Sequence, residues 1–267
     1  MRNGTRPDGQ ACRPVPASRH SLLGVLLSIA ATTVVLAACG GHDNGRTVAV
    51  LPNGSQPENA LPVIEQPSPN PPPMLNDCLA LDPGTAFITS NGFRHEIRIE
   101  DFHGQPALAE ITSTAEGLRE NAAYFQLGSQ GLITLGSIDY DEAGNVLEET
   151  TDTGSRGFPA SLMPGQSVAQ TYEETITETR PDGAIISTST QPLSGSVYFE
   201  GFVDLDIGTL RFANACKLVV MPDSRINARS VIWLARGYGV IRIDDYDQNG
   251  ELDAEDSSVL TQVVSRP

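Results

Sequence analysis

The fold of this chain is decided by residues 210–220, which read LRFANACKLVV. Apolar side chains recur at every second position of this stretch, while Arg211 and Lys217 fall between them. A period of two is that of a β-strand with one face in a core and the other toward solvent. The sequence therefore predicts a half-buried strand with Cys216 on its core side.

The same period of two recurs on both sides of this strand. Val197 and Phe199 share one face of the preceding segment, and turn signals such as Asn91-Gly92 separate the apolar runs. We expect about ten to thirteen short strands between residues 85 and 264, with residues 171–190 forming a solvent-exposed hairpin. The pattern predicts an all-β domain, an antiparallel sheet curved into a half-barrel or a sandwich, and does not separate these from a closed barrel.

The N-terminal residues have the order of a secretory leader. Basic residues precede an apolar stretch, Ser21 to Val35, and small residues lead to Cys39. This pattern resembles the lipobox of bacterial lipoprotein precursors, which implies diacylglycerol on the Cys39 sulfur and a further acyl chain, such as palmitate, on its amine. Gly40 then favours the outer membrane of the cell envelope. A transmembrane span and an unlipidated secreted chain stay open as alternatives.

Three segments follow from this organisation. Residues 1–38 are predicted to be the signal peptide, residues 39–77 a disordered tether rich in proline, and residues 78–267 a single β-rich domain. Prolines favour an extended backbone of about 3.1 Å per residue, so the tether would hold the domain away from the membrane. The domain is long enough to bury a substantial core.

Cysteine usage predicts one disulfide. Cys12 lies in the leader and Cys39 would carry lipid, so Cys78 and Cys216 are left in an oxidising compartment. We expect these two residues to be bonded. The alternative is a pair of buried free thiols.

Net charge limits the partners. The full chain has 17 basic and 33 acidic residues, and removal of the leader would leave 13 basic and 32 acidic residues. Phosphate backbones and anionic lipid surfaces repel so acidic a protein. Nucleic acid is therefore excluded as a partner, while cations, basic proteins and neutral ligands remain compatible with the charge.

Residues 208–218 and 232–241 are similar to motifs in many uncharacterised β-rich lipoproteins of the bacterial envelope. The resemblance implies a curved antiparallel sheet, like the half-barrels of envelope lipid carriers, with Trp233 inside the curve. It implies no catalytic residues. Trp233 and Tyr238 are candidates for lining an apolar ligand cleft, but aromatic residues on strands more often belong to a plain core, which is the favoured interpretation.

Residues 245–256 resemble the calcium loop of EF-hands and dockerin modules, with oxygen-bearing side chains at the ligand spacing and Gly250 at the sharp bend. Asp256 is one carbon shorter than the usual glutamate, and a strand-like segment precedes the loop where an EF-hand has a helix. A charged hairpin tip is the alternative to calcium binding. The expected ligands are the side chains of Asp245, Asp247, Asn249, Asp253 and Asp256 and the carbonyl of Glu251.

The sequence contains no residue pattern that clearly indicates a catalytic site. His95 and His103 are predicted to be surface residues, and the adjacent carboxylates Glu148 and Glu149 would point to opposite faces of a strand. The sequence predicts no enzyme. It favours a lipid-anchored envelope lipoprotein acting as a non-enzymatic binding or structural module, with an unidentified protein partner. The alternative is a carrier or sensor of a lipid or other hydrophobic ligand.

Overall fold

A computed structural model describes residues 63–64 and 74–267. The leader, the lipidation residue Cys39 and most of the tether lie outside the described residues. Within residues 74–267 no helix combines the length and the apolar character needed to cross a bilayer.

Almost all regular structure in the described residues is β. One short 3-10 helix, Leu75–Cys78, precedes the main sheet. The strands are β1 Val63–Ile64, β2 Ala86–Thr89, β3 Arg94–Phe102, β4 Gln105–Ser113, β5 Arg119–Gly128, β6 Gly131–Tyr140, β7 Val146–Gly154, β8 Gly157–Pro159, β9 Gln166–Thr179, β10 Ile185–Ile207, β11 Leu210–Pro222, β12 Arg229–Ala235, β13 Gly239–Tyr246 and β14 Leu252–Ser265.

Twelve of these strands close into an antiparallel barrel. Their order is β11-β10-β9-β7-β6-β5-β4-β3-β2-β14-β13-β12, and the pairing of β12 with β11, which sets Cys216 opposite Leu234, completes the circle. The short strand β8 pairs with β6, and β1 pairs in parallel with β11 at Arg211 and Phe212. The prediction of an all-β, curved antiparallel sheet is confirmed, and the closed barrel is the form that the curvature takes.

The strand that decides the fold is β11. Phe212, Cys216 and Leu218 are fully buried on its inward face, as the alternation predicts. The pairing with β10 shifts register near Asn214, whose φ of 57° marks a bulge in the strand. A bulge of this kind increases the local twist, which helps a sheet to curve into a barrel.

One part of the barrel interior is apolar. Most of the main core comes from buried side chains of β10 to β14 and of β2, such as Phe87, Phe199 and Ile232, and β3, β5, β6 and β8 add a smaller number to it. The segment before β2 completes this core: Leu75 and Leu79 are buried in it, and the Leu75 amide donates to the carbonyl of Leu162 at 2.9 Å. The inside of the barrel is therefore filled on this side.

The predicted disulfide holds that segment in place. Cys78 and Cys216 are bonded, with their Cα atoms 6.1 Å apart, and both residues are fully buried. The bridge joins the start of the domain to the middle of β11 across 138 residues of sequence. It closes a long loop and so restricts the unfolded chain more than a short bridge would.

The hairpin predicted at residues 171–190 is also present. It is formed by the outer parts of β9 and β10, and every residue from 181 to 190 is exposed. Thr175 and Thr190 face each other with their hydroxyl oxygens 2.9 Å apart. We name this hairpin the arm.

Candidate functional site

A row of polar side chains crosses the inside of the barrel from β3 to β9. Its members are directly opposite one another on successive strands, and so share the inward face. The side chains are almost completely buried at the β3 end, and the last residue is exposed. In spatial order the row is His95, Thr112, Asn121, Asp139, Glu148 and Glu178.

Three neighbouring members of the row are carboxylates. Asp139 is 8% exposed, Glu148 is half-buried and Glu178 is exposed. Directly opposite residues on antiparallel strands have Cα atoms about 4.5–5.5 Å apart, so the carboxylates are close enough to repel. We name Asp139, Glu148 and Glu178 the acidic row.

The pKa of Glu148, the central residue of the acidic row, reflects its burial and the repulsion from its neighbours. Burial, followed by the negative charges of Asp139, Glu178 and Glu174, raises the pKa of Glu148 to about 7. A carboxyl group with this pKa exchanges its proton near neutral pH. A cation placed beside Glu148 would reverse the effect and favour the ionised form.

Asn121 borders the acidic row on its buried side. Its side-chain amide donates to Asp139 Oδ1 at 2.7 Å, and the residue is 1% exposed. Within the described residues, Asn121 Oδ1 is buried without a hydrogen-bond partner. The row thus combines carboxylates with one unsatisfied amide oxygen, and both are ligands for a positively charged group.

His95 is buried, so its predicted place at the surface is wrong. The residue is 1% exposed, and its ring stacks on Phe87 with centroids 5.1 Å apart. His95 Nδ1 lies 2.9 Å from Glu110 Oε1. Because an ionised carboxylate only accepts, Nδ1 carries the hydrogen. The inward position follows from the alternation of β3, where Ile97 also points into the barrel.

The hydroxyl–imidazole–carboxylate order around His95 does not make an accessible nucleophile. Thr89 Oγ1 lies 3.2 Å from His95 Nε2, but it also donates to Asn91 Oδ1 at 2.6 Å. Thr89 is 2% exposed and Glu110 is completely buried. The contacts pair most of the buried polar atoms of this group, although Glu110 Oε2 has no hydrogen-bond partner among the described residues, and a substrate has no access to the hydroxyl in this structure. His103, by contrast, is on the surface as predicted, 3.0 Å from Glu149.

A second buried group lies next to the acidic row. The Arg156 guanidinium lies 2.5 Å from Asp152 and 3.2 Å from Glu174, and all three side chains are at most 2% exposed. Burial raises the pKa of Asp152 although Arg156 opposes the shift. The same cation lies over the ring of Tyr172. Burial raises the pKa of Tyr172 to about 12. These contacts keep one buried cation among several carboxylates.

The predicted calcium loop does not fit this geometry. Asp245 and Asp253 are opposite each other on β13 and β14, before and after the turn. The Asp247 carboxylate accepts the amides of Asn249 and Glu251 at 2.8 and 2.9 Å, so the turn itself occupies it. Throughout residues 74–267, no group of three or more His, Cys, Asp or Glu side chains is arranged to hold a metal ion.

The loop is instead a charged hairpin tip, the alternative that the sequence left open. Residues 247–251 and 141–145 form the same turn: each glycine at the fourth position has a φ of 80°, and each aspartate at the first position accepts two backbone amides. The internal repeat of Asp-Tyr-Asp therefore encodes a turn with a left-handed glycine rather than a metal site. The turn geometry gives the calcium prediction no support, and calcium binding at residues 245–256 stays a prediction.

Asp245 has a different role from that of a metal ligand. Its carboxylate accepts a hydrogen bond from the Ser230 hydroxyl, and Asp245 Oδ2 is buried with no hydrogen-bond partner among the described residues. Burial, and after it the nearby charges of Asp256, Asp253 and Asp244, raise the pKa of Asp245 to about 7, although the hydrogen bond from Ser230 opposes the shift.

The predicted cleft at Trp233 and Tyr238 is not formed. Trp233 is 8% exposed and lies between its cross-strand neighbours Lys217 and Arg242, whose cations are 5.7 and 4.7 Å from the ring centre. Tyr238 is 2% exposed and packs edge-on against Phe212. Both side chains are therefore packed and buried, as expected for plain core aromatics. Trp233 shares a face with two partly exposed cations, and its neighbour Ile232 points inward, so its predicted place inside the curve is wrong.

A shallow groove of about 460 Å³ lies on the outer wall of the barrel. Phe102, Gln126, Leu135 and Thr151 are among its lining residues. Phe102 stacks on Tyr124 with centroids 4.4 Å apart, and Gly136 makes room for the Phe102 ring, because a Cβ there would meet it at 3.0 Å. Both faces of the ring are thereby largely used in packing.

The acidic row was missed by reasoning from the sequence. Its carboxylates come from three strands, and the sequence holds a signal only for each strand alone. The opposite directions expected for Glu148 and Glu149 are confirmed, since Glu148 joins the row and Glu149 contacts His103 outside. The pairing of β7 with both β6 and β9, which brings the strands together, is not visible in any local pattern.

Comparison of the chain with protein-family models, with curated proteins and with solved structures finds no match.

Proposed function

We propose that this chain is a lipid-anchored lipoprotein of the cell envelope, in the outer membrane, and that its barrel is a non-enzymatic module that binds a basic partner protein. The acidic row carries the proposal. Three carboxylates, Asp139, Glu148 and Glu178, are adjacent inside the barrel, and the row becomes exposed toward β9. A lysine or arginine side chain presented by a partner would relieve their repulsion.

The charge of the whole protein supports the same class of partner. The chain carries 33 acidic and 17 basic residues, so its field attracts basic proteins over a distance and repels nucleic acid. Steering of this kind increases the rate of association, and salt weakens it.

The disulfide supports a location outside the cytosol. Buried, structural disulfides form in oxidising compartments, and the bridge between Cys78 and Cys216 is fully buried. Replacement of Cys39 by serine tests the anchor: the variant is expected to lose membrane attachment, whereas a variant that fractionates with the same membranes as wild type contradicts lipidation at this residue.

The carrier of a hydrophobic ligand is the less favoured function. A carrier needs space inside the sheet, and here Leu75 and Leu79 fill the apolar side of the barrel together with Phe199 and Phe212. Native mass spectrometry separates the two functions, since a co-purified lipid would favour the carrier and an empty chain the module.

Binding of a lysine-rich peptide to the purified chain tests the acidic row. Isothermal titration at low salt should give binding that the double variant Glu148→Gln with Glu178→Gln weakens at least about fivefold, corresponding to about 1 kcal/mol. The matched control is the double variant Glu251→Gln with Glu255→Gln, which removes the same charge from exposed positions near the tip of the β13–β14 hairpin. Equal weakening by the two double variants would show attraction by net charge alone and would overturn the site.

The pH dependence gives a second readout of the same site. With the pKa of Glu148 at about 7, wild type should bind the peptide more tightly at pH 8 than at pH 6. Glu148→Gln should lose most of this difference. An unchanged pH dependence in that variant would mean that Glu148 does not contact the bound cation.

A further inference from the structure

One edge of β10 has no neighbouring strand among the described residues. Residues 185–199 of β10 pair with β9, but pairing with β11 begins only at Gly195. Ser194 accepts the Asp223 amide at 3.0 Å, which ends the unpaired stretch. We name residues 185–193, on the side away from β9, the open edge. Backbone groups directed to that side are available for hydrogen bonding to another strand.

Neither face of the open edge is covered near its tip. Ile185 is 66% exposed and Ile186 is 56% exposed, although adjacent residues of a strand point to opposite faces. All residues from 185 to 190 are exposed. The arm therefore presents a two-sided strand with an unpaired edge.

The residues of the open edge favour strand pairing. Residues 185–191 read IISTSTQ, with β-branched side chains at four of the seven positions, no charge and no proline. Natural proteins usually protect such edges with charge, proline or a bulge. Here Pro192 and a register shift between Ile185 and Ser187 interrupt only the two ends.

A second free edge in the same barrel is protected. The outer part of β14 pairs with β13 on one side, but its pairing with β2 begins only at Leu260. That stretch carries Asp253, Glu255 and Asp256, which would repel an identical strand. The contrast identifies the open edge of β10 as the edge that can accept a strand.

We propose that the open edge pairs with the same edge of a second copy of this chain, antiparallel and about a two-fold axis. An isologous contact places the same uncharged residues opposite each other, so no like charges meet across the new pair. The carboxylates one strand behind are already bound: Glu178 accepts from the Ser187 hydroxyl at 3.0 Å, and Glu174 accepts from the Gln191 amide at 3.1 Å. The dimer would contain a continuous sheet through both arms.

Sedimentation equilibrium of the purified full chain over a range of concentrations tests the proposal. Wild type is expected to form a dimer, and Thr188→Glu with Thr190→Glu should raise the dissociation constant at least about tenfold, since like charges would then face each other across the pair. The control, Thr175→Glu with Thr177→Glu, adds the same charge at the cross-strand neighbours on β9, one strand away from the open edge. It should change the constant less than about threefold.

Cysteine cross-linking tests the same contact without added charge. In an antiparallel pair, the residue at the two-fold axis lies opposite its own copy within disulfide reach. Single cysteines at positions 187, 188 and 189 should give a disulfide-linked dimer under mild oxidation, strongest at one position, and cysteine at position 177 should not exceed wild type. A chain that stays monomeric at all concentrations, equal effects of the two charge variants, or no cross-link above wild type would each overturn the proposal.

Discussion

The barrel interior has a mainly apolar side and a side that mixes apolar and polar residues, here called the polar side, and the two are stabilised in different ways. From β10 through β14 to β2 the interior is filled with apolar side chains such as Phe199 and Ile232, and the disulfide fixes the segment before β2 among them. From β3 to β9 the interior holds apolar residues such as Phe125 together with His95, Arg156 and the acidic row; His95 contacts Glu110, Arg156 contacts Asp152, and Asp139 accepts from Asn121. The comparison shows that the interior of one closed barrel can be filled by apolar packing in one region and by buried ion pairs and hydrogen bonds in another.

The largest effect is expected on the apolar side. Replacing both Cys78 and Cys216 with serine should lower the free energy of unfolding by about 5 kcal/mol in the chain-entropy model, because the bridge spans 138 residues. Urea denaturation followed by circular dichroism measures the change. Reduction of wild type should give the same loss, and a change below about 1 kcal/mol would show that packing alone holds the segment.

On the polar side, the buried cation should matter most. Arg156→Met leaves Asp152 and Glu174 buried without their partner, which should lower the free energy of unfolding by about 3–5 kcal/mol. Adding Asp152→Asn and Glu174→Gln to that variant removes the uncompensated charge and should recover part of the loss in the same denaturation assay. A single variant as stable as wild type would contradict the role of the cation.

Glu148→Gln should make the polar side more stable at high pH. The folded pKa of about 7 lies above the ordinary glutamate value of 4.5. The protonated Glu148 side chain therefore contributes to the stability of wild type below about pH 4.5, and this contribution is lost as the pH rises through 7. Glu148→Gln keeps this contribution at every pH because its side chain stays neutral. Its free energy of unfolding at pH 8 should exceed that of wild type by about 1–2 kcal/mol after allowance for solvent screening, with little difference at pH 4. Unfolding measured at both pH values decides this, and an equal gain at both would point to packing rather than charge.

The smallest effect is expected at the two equivalent hairpin tips. Asp141→Ala and Asp247→Ala each remove the acceptor of two turn amides and should lower the melting temperature by a similar amount, no more than about 2 °C. Millimolar calcium should leave the melting temperature of wild type unchanged. A rise with calcium in wild type that Asp247→Ala abolishes would restore the metal loop.

Local patterns in the sequence predicted each strand better than the arrangement of the strands. The alternation in residues 210–220 placed Phe212, Cys216 and Leu218 inward, and the two cysteines left after the leader and the lipid predicted the bridge. The acidic row depends on which strands lie side by side, and that is set by pairing over long distances in the sequence. The inward place of His95, by contrast, follows from its alternation with Ile97 on β3. The calcium prediction at residues 245–256 stays a prediction, because a ligand spacing and a glycine-containing turn share the same residue types.

The sulfur bridge also decides how the domain would bear mechanical load. Tension that arrives along the chain from the N-terminal side reaches Cys78 and passes directly to Cys216, in a strand that is hydrogen-bonded on both sides. Residues 79–215 are thereby outside the path of the force. A pull from the N-terminal side would first detach the two-residue strand β1 and would then have to shear β11 from β10 and β12, because the bridge carries the force past residues 79–215.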